Sequence, residues 1–489
     1  MRSRELSRPR RLPSSALHGN ELGRPDWTGE GGCDIHSRIR VRTGRTLHLG
    51  AAGAGAMRTL VKKPDFHADL EARGLVHQVT SPDAIALLRT SSVTAYIGFD
   101  PTADSLHVGS LLPVLALMRL QRAGHHPIAV VGGGTGMIGD PSGKSSERNL
   151  LTTELLEHNV AGQRRQLERF LDFSGPHAAR MVNNLDWLSK LDLIGFLRDI
   201  GKHFSVNAMT QRDSVQLRLT GRDQGISFTE FTYALLQAYD FLELYDRFGC
   251  RLQMGGSDQW GNITDGVELI RRLRQGQAFG LTMPLVTRSD GSKFGKSESG
   301  NVWIDEARTS AFAFYQYWLN MADADVVRSL RFFTFLDVAE IDAVGESHAK
   351  RPEKREAQRV LAREVTTLVH GAAELARAER ATAVLFEGGD LRTLSPSEIA
   401  EGLADAPRTS LPRTELLTGG LDLPTALVRC GLAPSKGQAR TAIEQGAVSV
   451  NHELVKDTAR MLTVGDLLAE RFVVLRRGKK TYSLIDVAG

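Results

Sequence analysis

Two short segments carry side chains suited to meeting a polyphosphate. His107-Val108-Gly109-Ser110 follows a strand-like run and opens a helix. An imidazole there stands beside backbone amides at the positive end of a helix dipole. Lys293-Phe294-Gly295-Lys296-Ser297 sets two lysines around a glycine, in a polar loop between Met283–Val286 and Val302–Ile304. Taken singly, the first reads as a capping or core histidine and the second as a solvated turn. As a pair they are more specific, because a histidine and loop lysines can meet one developing charge from two sides. A third segment, GGGTGMIGDPSGKSSER, follows Pro127–Val131. Its Gly134, Gly136 and Gly139 spell GxGxxG, but Asp140-Pro141-Ser142-Gly143 interrupts the helix that a dinucleotide motif must open. Gly139, Gly143, Lys144 and Ser145 fall one residue short of a phosphate-binding P-loop. What stands is a Gly-rich turn at a strand end that brings Lys144 and Arg148 to phosphate; the alternative is a surface loop with solvated charges. Tyr233, Gln237 and Asp240 are spaced i, i+4, i+7, so one helix face presents all three. A buried apolar face gives the same spacing.

These residues need elements to hold them. From 57 to 309 strand and helix patterns alternate: a strand over 93–99, a helix from about 106 to 120, then a strand over 127–131. This predicts a Rossmann-like parallel α/β sheet with ligands at the carboxyl ends of its strands. Residues 310–386 read as helical, with Pro352 in the first turn of a helix. Ala357, Val360, Leu361, Val365, Leu368 and Val369 lie on one face of it, and Gly371 ends it. Residues 387–420 read as a linker with at most one short helix. Residues 421–489 read as a small α+β unit: Ser435 caps a helix that stops at Gly446, and 472–475 and 481–485 form a hairpin.

The chain has 489 residues, 61 Lys and Arg, 57 Asp and Glu, and three cysteines with no CxxC. The cysteine usage argues against a disulfide scaffold or a thiolate zinc site. No apolar run is long enough to span a membrane. Residues 1–56 hold ten Arg, no Lys and five acids, so the remainder carries 51 basic and 52 acidic side chains. Any nucleic-acid surface must therefore be a local patch. The first 56 residues form no periodic element. They read as upstream sequence before a true start at Met57, as a transit peptide or as a disordered tail.

The chain resembles the bacterial-type tyrosyl-tRNA synthetases, class I aminoacyl-tRNA synthetases. HVGS is similar to that family's HIGH signature and KFGKS to its KMSKS signature. YIGFDPTADSLHVG, GDPSGKSSER, GKHFSVN, FTEFTYALLQAYDF and LQMGGSDQWGNI extend the likeness over about 60–489. The resemblance implies an ATP-dependent tyrosine–tRNA ligase with a Rossmann-like catalytic domain (57–309), a helical anticodon-binding domain (310–386) and a C-terminal RNA-binding domain (421–489). It implies that Tyr96 and Asp240 bind the tyrosine phenol, that Asp140, Tyr233 and Gln237 bind its ammonium, and that Gln253 lies in the same pocket. It puts Asp100, Thr102, His107, Gly109, Ser110, Asp258, Gln259 and Lys296 on ATP. His107, Lys144, Arg148, Lys293, Lys296 and Ser297 become the phosphate-side catalytic residues, with Mg²⁺ sharing the charge and no structural metal in the protein. Tyrosine, ATP and tRNA(Tyr) are the implied partners. The chain is expected to be a cytoplasmic homodimer, or to be imported into an organelle if 1–56 is a transit peptide. Residues 422–489 hold ten Lys and Arg against seven acids. Lys436, Arg440, Arg476, Arg477, Lys479 and Lys480 are the candidate RNA contacts. Two departures stand out: Ser110 replaces the second signature His, and Ile97 stands where some members carry Cys. Two other classes make different demands. A nicotinamide oxidoreductase built on Gly134, Gly136 and Gly139 would leave KFGKS unexplained, and a silent RNA-binding protein would bind tRNA without releasing pyrophosphate.

Overall fold

A computed structural model describes residues 64–142, 151–220, 225–291, 294–297, 300–404, 406–478 and 481–488. Its main sheet has six strands: β1 (Gln78–Val79), β2 (Thr94–Phe99), β3 (His126–Val131), β4 (Arg180–Asn183), β5 (Cys250–Gly256) and β6 (Phe279–Met283). They lie in the order β1-β6-β5-β2-β3-β4. All neighbours are parallel except β1 and β6. β3 is buried from Pro127 onward and β6 throughout, as strands covered on both faces must be. The chain lays β2, β3 and β4 outward, then returns to place β5 and β6 on the other side of β2. Strand order therefore reverses between β2 and β5. In open α/β sheets, ligands bind beyond the carboxyl ends at that point.

Four helices cover this sheet: α1 (Leu111–Arg122), α2 (Thr153–Phe170), α3 (Phe228–Phe248) and α4 (Trp260–Arg274). The helix expected from 106 begins later. Leu106 and Val108 are tied to the far chain by Ile304 N→Leu106 O and Val108 N→Val302 O, both 3.0 Å. A 3₁₀ turn, Val108–Ser110, then leads into α1. Ser227 caps α3 through the Glu230 amide, and Gly249, at φ +61°, ends it.

The helical region holds α5 (Ala311–Leu319), α6 (Asp323–Phe333), α7 (Val338–Lys350), α8 (Glu356–His370) and α9 (Ala372–Thr382). Pro352 does not open α8. It starts a separate 3₁₀ turn, and Arg355 at φ +51° breaks the path between them. Ala357, Leu361, Val365 and Val369 bury the expected face of α8, and Gly371 at φ +89° ends it.

Residues 387–420 hold more structure than a linker with one short helix. They contain a 3₁₀ turn (Leu391–Thr393), helices Pro396–Gly402 and Arg413–Leu417, and strand Arg408–Pro412. That strand pairs in parallel with Thr481–Ala488. Its short, proline-flanked sequence hides a strand whose stability comes from a partner some 70 residues on. The other strands of this sheet are Val448–Val450, Glu453–Val455 and Phe472–Arg477. Helix Lys436–Glu444 starts at Ser435, as expected. The unit has its own core, including Leu423, Leu427, Ile443, Val448, Val473 and Ile485. The main core reaches it through Leu468, Phe472, Val474 and Leu484. No helix among the described residues is long and apolar enough to cross a membrane.

Candidate active site

Two adjoining cavities open at the point where the strand order reverses. The larger, of about 600 Å³, is lined by Tyr96, Asp140, Tyr233, Gln237, Asp240, Gln253 and Gln259, among others. The smaller, of about 340 Å³, is lined by Thr102, His107, Gly109 and Ser110. Asp100, His107, Asp258 and Phe294 line both. Of the residues expected on ATP, Thr102, Gly109 and Ser110 line the smaller chamber alone, Asp100, His107 and Asp258 line both, and Gln259 lines the larger alone.

The floor of the larger cavity comes from β2, β5 and α3. Tyr96 sits opposite Gln253 in the β2–β5 register. Its ring meets Phe241 edge-on at 5.3 Å between centroids. Tyr96 and Gln253 are each 2% exposed, and among the described residues neither the Tyr96 hydroxyl nor Gln253 Oε1 has a hydrogen-bond partner. An unpaired buried polar group costs about 1–3 kcal/mol, so this floor favours a ligand with polar atoms to match. Asp240 stands on α3 beside them. It accepts from Trp187 Nε1 at 2.7 Å and from Asn184 Nδ2 at 2.9 Å. Burial pushes its carboxyl up to about 7, although both hydrogen bonds oppose the shift. Burial also raises the Tyr96 phenol well above its ordinary range, with the Asp240 charge adding to the effect.

The wall toward the smaller cavity is polar. The Tyr233 hydroxyl donates to Asp100 at 3.1 and 3.2 Å, and Thr135 donates to the same carboxylate at 3.2 Å. Burial is the first cause of a strongly raised Tyr233 phenol, followed by the Asp100 and Asp140 charges. Gln259 Nε2 donates to Asp140 at 2.7 Å, and Gln237 Nε2 donates to Gln259 at 3.3 Å. Asp100, Asp140, Asp240 and Asp258 all line the chamber, and Asp140 beside Tyr233 and Gln237 suits one ammonium group.

His107 caps the 3₁₀ turn: its Nδ1 accepts from the Gly109 amide at 3.0 Å. In the neutral ring this puts the proton on Nε2, the nitrogen that can then donate. The Gly-rich turn after β3 is tight for an internal reason. A Cβ at Gly132 would lie 2.6 Å or less from the Asp100 carboxylate and the Thr135 hydroxyl, so glycine lets this wall close.

Not every expected residue is placed. Lys144, Arg148, Lys293, Lys479 and Lys480 lie outside the described residues, as does the whole 1–56 segment. Lys296 and Ser297 form a two-residue strand paired with Gly300–Asn301. In the C-terminal unit, Lys436 and Arg440 are exposed on one helix. Arg476 and Arg477 are half-buried and engaged: Arg477 donates to the Leu432 carbonyl at 2.6 Å, Arg476 to Ser449 Oγ at 3.2 Å. Asn184, Trp187 and Thr135 escape a reading of the sequence alone. The available signal was Asn183-Asn184 at the carboxyl end of a parallel strand, where such a sheet places ligand groups.

The fold is that of a class I tRNA synthetase. Residues 88–387 match the family model described as tRNA synthetases class I (W and Y), and the chain belongs to that family. Residues 398–485 match the tyrosine–tRNA ligase SYY-like C-terminal domain. A tyrosine–tRNA ligase of Roseiflexus castenholzii is 54% identical over 418 residues, which cover 85% of this chain and 98% of the relative. One from Bacillus caldotenax is 52% identical over 429 residues, covering 87% and 100%. Among solved structures, a C-terminally truncated mitochondrial tyrosyl-tRNA synthetase of Aspergillus nidulans superposes with a TM-score of 0.60 at 32% identity. It covers 67% of this chain and 95% of its own.

Proposed function

We propose that this chain is a tyrosine–tRNA ligase in which the larger chamber takes L-tyrosine and the smaller takes ATP. The observation that carries the reading is the floor of the larger chamber: the unpaired buried Tyr96 hydroxyl next to the braced Asp240 carboxyl. A phenol satisfies both groups. Phenylalanine leaves the Tyr96 hydroxyl buried and unpaired and gives Asp240 no donor beyond Trp187 and Asn184. A site built to bond a hydroxyl rejects its deoxy analogue strongly, and the tyrosyl enzymes are themselves the standard instance of that asymmetry.

The ammonium sits against Asp140, Tyr233 and Gln237, which turns the substrate carboxylate toward the shared wall. Its oxygen attacks the α-phosphorus of ATP, an O–P bond forms, and the bond to the β-phosphate oxygen breaks to release pyrophosphate. No covalent bond to the protein forms. The chain aligns the reactants and meets the phosphate charge with the His107 donor and with Lys144, Arg148, Lys293, Lys296 and Ser297. Ser110, in the smaller chamber, supplies one hydrogen bond with shorter reach than a histidine. The 3′-terminal ribose hydroxyl of tRNA(Tyr) then attacks the acyl carbon and AMP leaves. Among the described residues no three His, Cys, Asp or Glu side chains cluster to hold a metal. We assign Mg²⁺ to the triphosphate, where it would share the phosphate charge.

Lys436, Arg440, Arg476, Arg477, Lys479 and Lys480 are assigned to the tRNA backbone, 310–386 to the anticodon and 421–489 to RNA binding, with 387–420 joining them. A homodimer is also proposed, supported by large apolar side chains exposed between 193 and 228, among them Leu193, Ile194, Val206 and Phe228. A cytoplasmic location is the matching assignment. Amino-acid-dependent ATP–pyrophosphate exchange, run with all twenty amino acids and no tRNA, tests the reading. Exchange with tyrosine alone is expected. Exchange with none, from a folded sample, would leave an RNA-binding protein.

A further inference from the structure

Phe294 and Gly295 of KFGKS are held from outside the sheet. Phe294 stacks on Phe333 with centroids 5.1 Å apart and planes 3° from parallel. It also meets Trp318 at 5.9 Å and Tyr317 edge-on at 6.1 Å. These three rings belong to α5 and α6 of the helical region. The Tyr317 hydroxyl accepts from the Gly295 amide at 3.1 Å. Gly295 O accepts from Val302 N at 2.9 Å, and Val302 O from Val108 N at 3.0 Å. Three hydrogen bonds thus run from Tyr317 through the KFGKS segment to the HVGS turn. The approach is close: a Cβ on Gly295, at φ +85°, would sit 3.3 Å from the Gly109 amide nitrogen. The stem before the segment is tied to the same helix, α6. Buried Asp325 accepts from the Ser289 amide at 3.0 and 3.1 Å, and Arg328 donates to the Thr287 carbonyl at 2.5 Å.

We propose that Tyr317 is a positioning residue for the adenylating step: its hydroxyl, with the aromatic seat of Phe294, sets where residues 294–297 lie on the HVGS turn. The inference rests on reading the site as an adenylating centre. The signature lysines act on charge that develops in the transition state, so a shift of their backbone costs rate more than substrate binding. The helical region is then part of the activation machinery, in addition to any contact it makes with tRNA. No residue of α5 or α6 need touch a substrate for this.

The test compares the unmodified chain with Tyr317→Phe, which keeps the ring and removes the hydroxyl, and with it the bonds to the Gly295 amide and to Arg288. Phe294→Leu, which keeps an apolar seat without stacking, is the second variant. The readouts are kcat and KM for ATP in tyrosine-dependent pyrophosphate exchange, and tyrosine affinity by equilibrium titration. Loss of the hydroxyl is expected to lower kcat about fivefold, with tyrosine affinity unchanged. Phe294→Leu, at a residue that also lines both chambers, is expected to lower kcat more strongly. Full kcat in Tyr317→Phe, with exchange by the unmodified chain intact, overturns this inference alone. Equal loss of kcat and tyrosine affinity also overturns it, since that marks a general structural role. No exchange by the unmodified chain overturns the adenylation reading and this inference with it.

Discussion

Asp240 shows how much chemistry one burial decision carries. Asn184 and Trp187 both donate to it, yet desolvation outweighs them and its carboxyl titrates at about 7. An ionised carboxylate accepts from a phenol much more strongly than a neutral carboxyl does. Tyrosine should therefore bind about tenfold more tightly at pH 8 than at pH 6, as the ionised fraction rises through that value. A carboxyl acting as donor would give the opposite slope. Equilibrium titrations across this range decide between them, and Asp240→Asn should flatten the profile. The same group affects folding with a definite sign. Below about 4 it is neutral in both states. Between there and about 7 the folded chain keeps a proton that the unfolded chain has released, so this contribution to stability is lost as pH rises. Asp240→Asn should remove that part of the pH dependence in denaturant midpoints.

At the scale of elements, α2 braces the segment that links β2 to the HVGS turn. Asn159, Gln163 and Gln166 share one buried face, spaced i, i+4, i+7. Asn159 donates to the Pro101 carbonyl at 2.9 Å, Gln163 to the Ala103 carbonyl at 3.1 Å, and Gln166 accepts from the Leu106 amide at 2.8 Å. Gly162 lets the helix come this close, because a Cβ there would collide with the Asp104 carbonyl oxygen. That oxygen is backbone and has no rotamer to escape into. Gly162→Ala should cost about 1–3 kcal/mol in denaturant unfolding. It should raise KM for ATP, whose chamber holds Thr102 and His107, more than KM for tyrosine. An unchanged unfolding midpoint would show that the helix retreats freely. None of this bracing is legible in the sequence, where Asn159 and Gln163 look like surface residues of an amphipathic helix. The i, i+4, i+7 grouping of Tyr233, Gln237 and Asp240 was legible, since helix geometry alone puts them on one face. So were β2, β3 and the C-terminal hairpin, which have dense apolar runs of their own. Strand Arg408–Pro412 and the late start of α1 were not, because distant backbone partners set both.

Over the whole molecule, the activation chambers and the basic C-terminal helix are separate features, and the proposed reaction uses them in different steps. Adenylate formation needs the sheet, the HVGS turn and KFGKS. Transfer to tRNA needs the nucleic acid held as well. In the C-terminal unit the exposed cations of helix Lys436–Glu444 differ from those of the hairpin. Lys436 Nζ lies 3.9 Å from Asp422, and Arg440 is exposed one turn further on. Arg476 lies over the Tyr482 ring at 5.9 Å and bonds Ser449, so its loss would disturb packing as well as charge. The helix pair is therefore the cleaner probe. Each phosphate contact removed should lower the salt slope of tRNA affinity by roughly one unit. Lys436→Ala with Arg440→Ala should weaken tRNA binding and charging, and reduce that slope by about one to two units. Tyrosine-dependent pyrophosphate exchange should stay at the level of the unmodified chain. Filter-binding titrations at several salt concentrations, beside exchange assays on the same samples, check both halves. An unchanged salt slope would remove this helix from the RNA surface. A matching fall in exchange would mean that the C-terminal unit supports the sheet, through the core that Leu468, Phe472, Val474 and Leu484 share with it, more than it holds tRNA.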